Sequence, residues 1–230
     1  MYFATLMNSN FEGWYLQNQD KTFRDFEFSF NKMSTASPFF DLEKLINLSK
    51  DYISKLSAKE VYDNLLEWAK EYDTEFATII EKYKDYTTAI LNIEREQKKP
   101  RKDYESFGSI KNYIWYMYDE YFTGDLNYDF QKITDKEEIK KILSAYLDKY
   151  DENDDKEAWF NKIKELTEEL GYCAYMKAYK ENPDAYPGNV ADISTVIRVA
   201  LTTSSQTPDL YELLRLIGKD RIKARFEKFM

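Results

Sequence analysis

The chain contains no histidine. That absence removes imidazole acid–base catalysis, serine–histidine nucleophiles and histidine metal sites together. It has a single cysteine, Cys173, so neither an internal disulfide nor a cysteine-ligated zinc knuckle can form. A lone thiol without a histidine partner is also a poor nucleophile and suits a reducing compartment. No apolar run approaches the ~20 residues needed to cross a bilayer. The N-terminus lacks a basic stretch followed by an apolar one, so no signal peptide is expected. Glycine (6) and proline (5) are scarce, which leaves few helix breakers. Cations are outnumbered, 33 Lys and Arg against 42 Asp and Glu, for a net charge of −9. On its face this opposes binding to a polyanion.

What is present points to a helical protein. Hydrophobic residues make up 43% of the 230, with 20 Tyr and 15 Phe, enough for one large or two modest cores. The charge is also uneven. From Val190 to Met230 seven cations face five anions, a surplus of two, and Arg95, Lys98, Lys99, Arg101 and Lys102 form a basic cluster. The acid collects elsewhere, notably Asp148 to Asp155, so a basic face on an acidic protein is possible. The acidic run lacks the central glycine and spacing of a calcium loop and reads as a solvated loop.

Along the chain, residues 1–41 are Phe-rich and irregular, and Phe23, Phe26, Phe28 and Phe30 alternate loosely, which suggests one short extended piece. Asp41 caps a helix striped by Leu42, Leu45, Ile46 and Ile53. Ser57 and Glu60 form a capping box before Val61, Leu65, Trp68, Ala69 and Tyr72. Further helices carry Phe76, Ile79, Ile80 and Tyr83, and then Ala89, Ile90 and Ile93. Pro100 makes Glu94 to Lys102 a loop. Ile110 to Phe122 predicts a helix aromatic nearly all round; its rings could stack bases but belong more naturally to a core. Thr123 to Asp129 is a turn-rich break. Thr134 with Glu137 predicts a second capping box, and Gly171 ends a helix carrying Trp159, Ile163, Leu166 and Leu170. The expected fold class is all-α: a tail over residues 1–56, a first helical subdomain over 57–130 and a second over 131–230, packed together.

The last forty residues carry the densest signal. Thr195 to Thr202 is apolar except for Arg198, and an arginine there must be paired or reach a surface. Thr207 can cap a helix with Pro208 at its first position, Leu210, Leu213, Leu214 and Ile217 follow at helical spacing, and Gly218 stops it. The run Arg198-Val199-Ala200-Leu201-Thr202, then Thr207-Pro208-Asp209-Leu210, then Ile217-Gly218-Lys219-Asp220-Arg221, resembles the C-terminal end of bacterial glutamyl-tRNA synthetases. Phe40-Asp41-Leu42-Glu43-Lys44-Leu45 with Tyr52-Ile53, and Pro100-Arg101-Lys102-Asp103, are similar to two further elements of that family, in the same order. Lys32-Met33-Ser34-Thr35-Ala36 mimics the ATP-binding Lys-Met-Ser-Lys-Ser loop of class I synthetases, but Thr35 stands where the second lysine belongs, and the motif lies too close to the Phe-Asp-Leu element.

The resemblance implies the anticodon-binding part of a glutamate–tRNA ligase without its catalytic domain. Its implied partners are glutamate tRNA and a catalytic domain in cis, with no DNA, no membrane and a monomeric, cytoplasmic state. It implies no cofactor in this chain; ATP and Mg belong to the full-length enzyme, so this chain alone should not charge tRNA. The implied RNA-binding residues are Arg101, Arg198, Thr207, Pro208 and Leu210; Lys98, Lys99 and Lys102, from the basic cluster itself, are expected to act on phosphates. Arg101 is the residue implied to accept the terminal C of the glutamate anticodon and reject the G of a glutamine one. A guanidinium fork suits the acceptors of cytosine's pairing edge and opposes guanine's donors. The Thr207 helix start could present N–H groups to a base or phosphate. A different reading stays open at this point: a helical protein-interaction scaffold with no RNA role.

Overall fold

A computed structural model describes residues 2–18, 20–33 and 40–230. Ser34, Thr35 and Ala36 of the ATP-loop mimic lie outside the described residues. The fold is all-α. The thirteen α-helices of the described residues are α1 (Tyr2–Met7), α2 (Phe11–Gln17), α3 (Leu42–Lys55), α4 (Ala58–Tyr72), α5 (Thr74–Lys82), α6 (Lys84–Asn92), α7 (Ile110–Ile114), α8 (Lys136–Lys149), α9 (Lys156–Glu169), α10 (Met176–Glu181), α11 (Val190–Thr202), α12 (Leu210–Ile217) and α13 (Lys219–Phe226). No strand occurs among the described residues, only the isolated bridges Asn8–Met33 and Cys173–Asn189.

Local chemistry places most boundaries. Asp41 accepts from the Lys44 amide, and Ser57 and Glu60 cap each other reciprocally. α4 packs on α5 and α6; α11 sits among α8, α9 and α13. One continuous hydrophobic cluster runs from Ile53 to Phe226 and joins residues on both sides of position 130. Gly218 (φ +81°) lets the chain turn directly from α12 into α13, in backbone space that favours glycine.

Four expectations are corrected. The alternating phenylalanines form no strand: a Thr22–Asp25 box winds Phe23–Asp25 into a 3₁₀ turn, and Phe30–Lys32 forms another. The aromatic helix stops at Ile114, passes into a 3₁₀ turn over Trp115–Met117, and leaves the helical region at Tyr118. A straight helix could not turn all those rings inward; the break buries Tyr116, Met117, Tyr118 and Phe122 together and lets the Tyr118 hydroxyl meet Thr87 Oγ1 at 2.8 Å. The helix after Thr134 is capped by Asp135, which accepts from the Glu138 amide, and α12 is capped by Asp209 rather than Thr207. In both cases a carboxylate, the stronger acceptor of a charge-assisted bond, takes the cap from the nearby threonine hydroxyl.

The charge count also needs amending. Arg95, Arg221 and Arg225 join helices instead of forming an outward basic face. Arg95 donates to Leu91 O (2.8 Å) at the end of α6 and to Ile53 O (2.7 Å) in the last turn of α3. Arg225 donates to Leu201 O (2.6 Å) near the end of α11 and covers the Phe122 ring at 3.9 Å. Arg221 binds Met117 O and the Tyr86 hydroxyl. Carbonyls of a last helical turn lack intrahelical donors, and a guanidinium supplies both the donors and the charge that suits the helix dipole.

Candidate nucleic-acid interface

Three segments converge where the first helices meet the last ones. The first is the loop after α6. Its neck is closed by Arg101 N–H donating to Glu94 O at 3.1 Å. The second is the flank of α11 that carries Ser194 and Arg198. The third is the turn from Thr203 to Asp209. Asn189 and Asp192 start α11 with a capping box, and Thr203, in the left-handed region at φ +63°, ends it and redirects the chain.

Arg198 fixes that turn. Its Nη1 donates to Pro208 O (3.0 Å) and to the Thr207 hydroxyl, while Thr207 Oγ1 donates to Pro208 O (2.9 Å). The arginine therefore has neutral oxygens for partners and no ion pair among the described residues. Burial lowers its pKa from the usual guanidinium value. Arg101 is held differently. Its Nε donates to Asp103 and its Nη1 to Glu94 Oε2 (3.4 Å). Burial acts to lower its pKa, but the two carboxylates outweigh burial and raise it. Within the described residues neither arginine's Nη2 has a hydrogen-bond partner.

Between them lies an open cavity of about 750 Å³ lined by Arg101, Arg198, Thr207, Pro208 and Leu210. Five residues singled out in the sequence thus share one recess, although they lie far apart along the chain. Leu210 and Thr207 are buried in its wall. The sequence reading missed Glu94, Lys156, Phe160 and Asp209, which line the same recess. Phe160 is 40% exposed there, beside Trp159, whose indole N–H donates to the Tyr146 hydroxyl at 3.1 Å. Nothing in the helical stripe through Trp159 marks Phe160, because it falls on the face turned away from the core. Asp209 pairs with Lys156 at 2.7 Å. The charged residues of the lining are Glu94, Glu157 and Asp209 against Arg101, Lys156 and Arg198. They balance, so the recess offers directed donors and an exposed ring, not a net positive field.

A second cavity, of about 380 Å³, lies behind the same wall, sharing Arg101, Thr207 and Pro208 and adding Asn112, Trp115 and Gln206. Lys98, Lys99 and Lys102 are not in either recess. They line a broad groove of about 1200 Å³ with Lys55, Tyr15 and Asp51. Lys102 is tied to Asp51 at 2.5 Å, whereas the exposed Lys98 and Lys99 have no ion pair among the described residues. Cys173 is buried and its thiol lies 3.3 Å from Tyr175 O.

Residues 108–230 match the family model described as the anticodon binding domain. Over its whole length the chain is 45% identical to a glutamate–tRNA ligase of Acetivibrio thermocellus and 38% identical to one of Clostridium perfringens, and it spans 42% of the length of each. Among solved structures, a glutamate tRNA ligase from Elizabethkingia meningosepticum superposes on 88% of the chain and 35% of its own, with a TM-score of 0.56 at 16% identity, a likeness of fold.

Proposed function

We propose, from the premise that this chain belongs to the anticodon binding domain family, that it reads the anticodon of glutamate tRNA as part of a glutamate–tRNA ligase. The observation that carries the reading is the shared recess: Arg101 and Arg198, each with an Nη2 that no protein group takes up, line it together with Thr207, Pro208 and Leu210. Sequence-specific RNA readers act on splayed, unstacked bases, using ring faces and directed hydrogen bonds. Phe160 offers a ring, and the two arginines offer donors in a fixed place. A recess whose charges balance suits a base edge better than a phosphate. Phosphates then fall to Lys98, Lys99 and Lys102 along the separate groove, where contacts add affinity without sequence information. Activation and transfer of glutamate would belong to the part of such an enzyme outside this chain, which is where ATP and Mg would act.

Chemical footprinting of glutamate tRNA with the 230-residue chain tests the proposal. Protection confined to the anticodon loop and adjoining stem is expected. Protection of the acceptor end alone, or none at low salt, would overturn it.

A further inference from the structure

We infer that Glu94 is a positioning residue that sets the selectivity of the Arg101 contact, an inference that rests on the anticodon reading above. Glu94 occupies the left-handed region, at φ +55°. Glycine takes that conformation freely, and asparagine or aspartate more readily than glutamate. A glutamate there needs a reason, and its carboxylate supplies one. Glu94 Oε2 accepts from the Asp209 amide at 3.1 Å, across 115 positions of sequence, and from Arg101 Nη1 at 3.4 Å.

The Asp209 bond has a particular meaning. Asp209 is the N-cap of α12, and its carboxylate accepts from the Glu212 amide. In a capping box the residue three positions on would return the favour by accepting from the cap's own amide. Glu212 does not do so here; Glu94, from another segment, takes that place. One carboxylate therefore joins the neck of the Arg101 loop, the Arg101 guanidinium and the start of the helix whose residues form the opposite wall. With Glu94 in place, the distance between Arg101 and the Thr207–Leu210 wall is set by hydrogen bonds. Without it, the Arg101 guanidinium keeps only Asp103, two residues away on the same loop; the Arg101 amide still closes the neck on Glu94 O, but the tie from that neck to the start of α12 is lost, and the loop can drift from the wall. A donor that can move aside no longer penalises the wrong base, so selectivity should fall more than affinity.

The test is competitive binding of glutamate and glutamine tRNA by the 230-residue chain at fixed salt, with melting temperature followed in parallel. Glu94→Gly removes the carboxylate and leaves a residue suited to the backbone conformation, so the fold should persist. The preference for glutamate tRNA should narrow about threefold to tenfold, the scale of coupling between contacting residues. Glu94→Gln keeps an acceptor for the Asp209 amide but not the charge beside Arg101, and should narrow it about threefold or less. Added to Arg101→Gln, Glu94→Gly should change the preference by less than about twofold, because it acts through the same side chain. If Glu94→Gly leaves the preference intact while Arg101→Gln narrows it, or if the two losses multiply, the positioning role is overturned. If Arg101→Gln itself leaves the preference intact, the reading beneath it fails, and Glu94 has nothing to position.

Discussion

Arg198 shows how one residue can serve both the fold and a ligand. It interrupts an apolar helix, so it must find partners or solvent. It finds the oxygens of Thr207 and Pro208 and still lines the recess. Arg198→Ala should therefore cost stability as well as RNA affinity, about 1–3 kcal/mol for the lost tie between α11 and the Thr207–Pro208 turn, read from urea unfolding. RNA affinity must then be compared at matched folded fraction; unchanged affinity there would remove Arg198 from the site. Arg101 differs, because its fold partners are carboxylates on its own loop. Arg101→Gln should narrow the preference for glutamate over glutamine tRNA by about one to two orders of magnitude, at ~1.4 kcal/mol per decade. Lys98→Ala and Lys99→Ala should weaken both tRNAs alike and flatten the salt dependence. An equal loss for both tRNAs with Arg101→Gln would make Arg101 another phosphate contact. Arg198 was visible in the sequence because its type clashed with an apolar helix, whereas Arg101 was visible only through the resemblance carried by Pro100-Arg101-Lys102-Asp103. Glu94, Lys156 and Asp209 gave no such signal, because their roles arise only when segments far apart close on one another.

At the scale of elements, caps and stripes made most helices legible, and errors gathered where two signals competed. Thr207 and Asp209 both suit a cap, and the carboxylate took it. That leaves Thr207 free to be held by Arg198, so the cap choice shapes the recess. The α12–α13 corner depends on Gly218. Gly218→Ala should destabilise the chain by about 1–2 kcal/mol, the cost of placing a Cβ in the left-handed half of backbone space. Gly13, inside α2 where an added methyl would meet nothing within 4 Å, is the control. Gly13→Ala should be neutral or stabilise by up to about 1 kcal/mol. Chemical denaturation distinguishes the two, and equal effects would contradict this account of the corner.

For the whole molecule, the missing histidines have a direct consequence. No side chain has an ordinary pKa between about pH 5.5 and 8, so stability should be flat across that range. In acid it should fall. Burial acts to raise Asp73, but the Lys111 ammonium and the Phe76 amide outweigh it and hold its pKa below 3.8; Asp51 is likewise lowered against burial by Lys102 and Lys55. Groups depressed in the folded state stabilise it above their unfolded pKa and lose that contribution as pH falls through the folded value. Melting temperature should therefore begin to drop below about pH 5 and fall further in stronger acid, and a step between pH 6 and 7 would contradict this.

The single core running from Ile53 to Phe226 holds the Arg101 loop and the Arg198 helix in one body, and the proposed function depends on that rigidity. The most direct test is the affinity of the chain for an anticodon stem-loop of glutamate tRNA and for the same stem-loop with its terminal anticodon C changed to G. A loss of about tenfold or more on that single change is expected for the unaltered chain. Equal affinity for the two stem-loops would contradict the central claim.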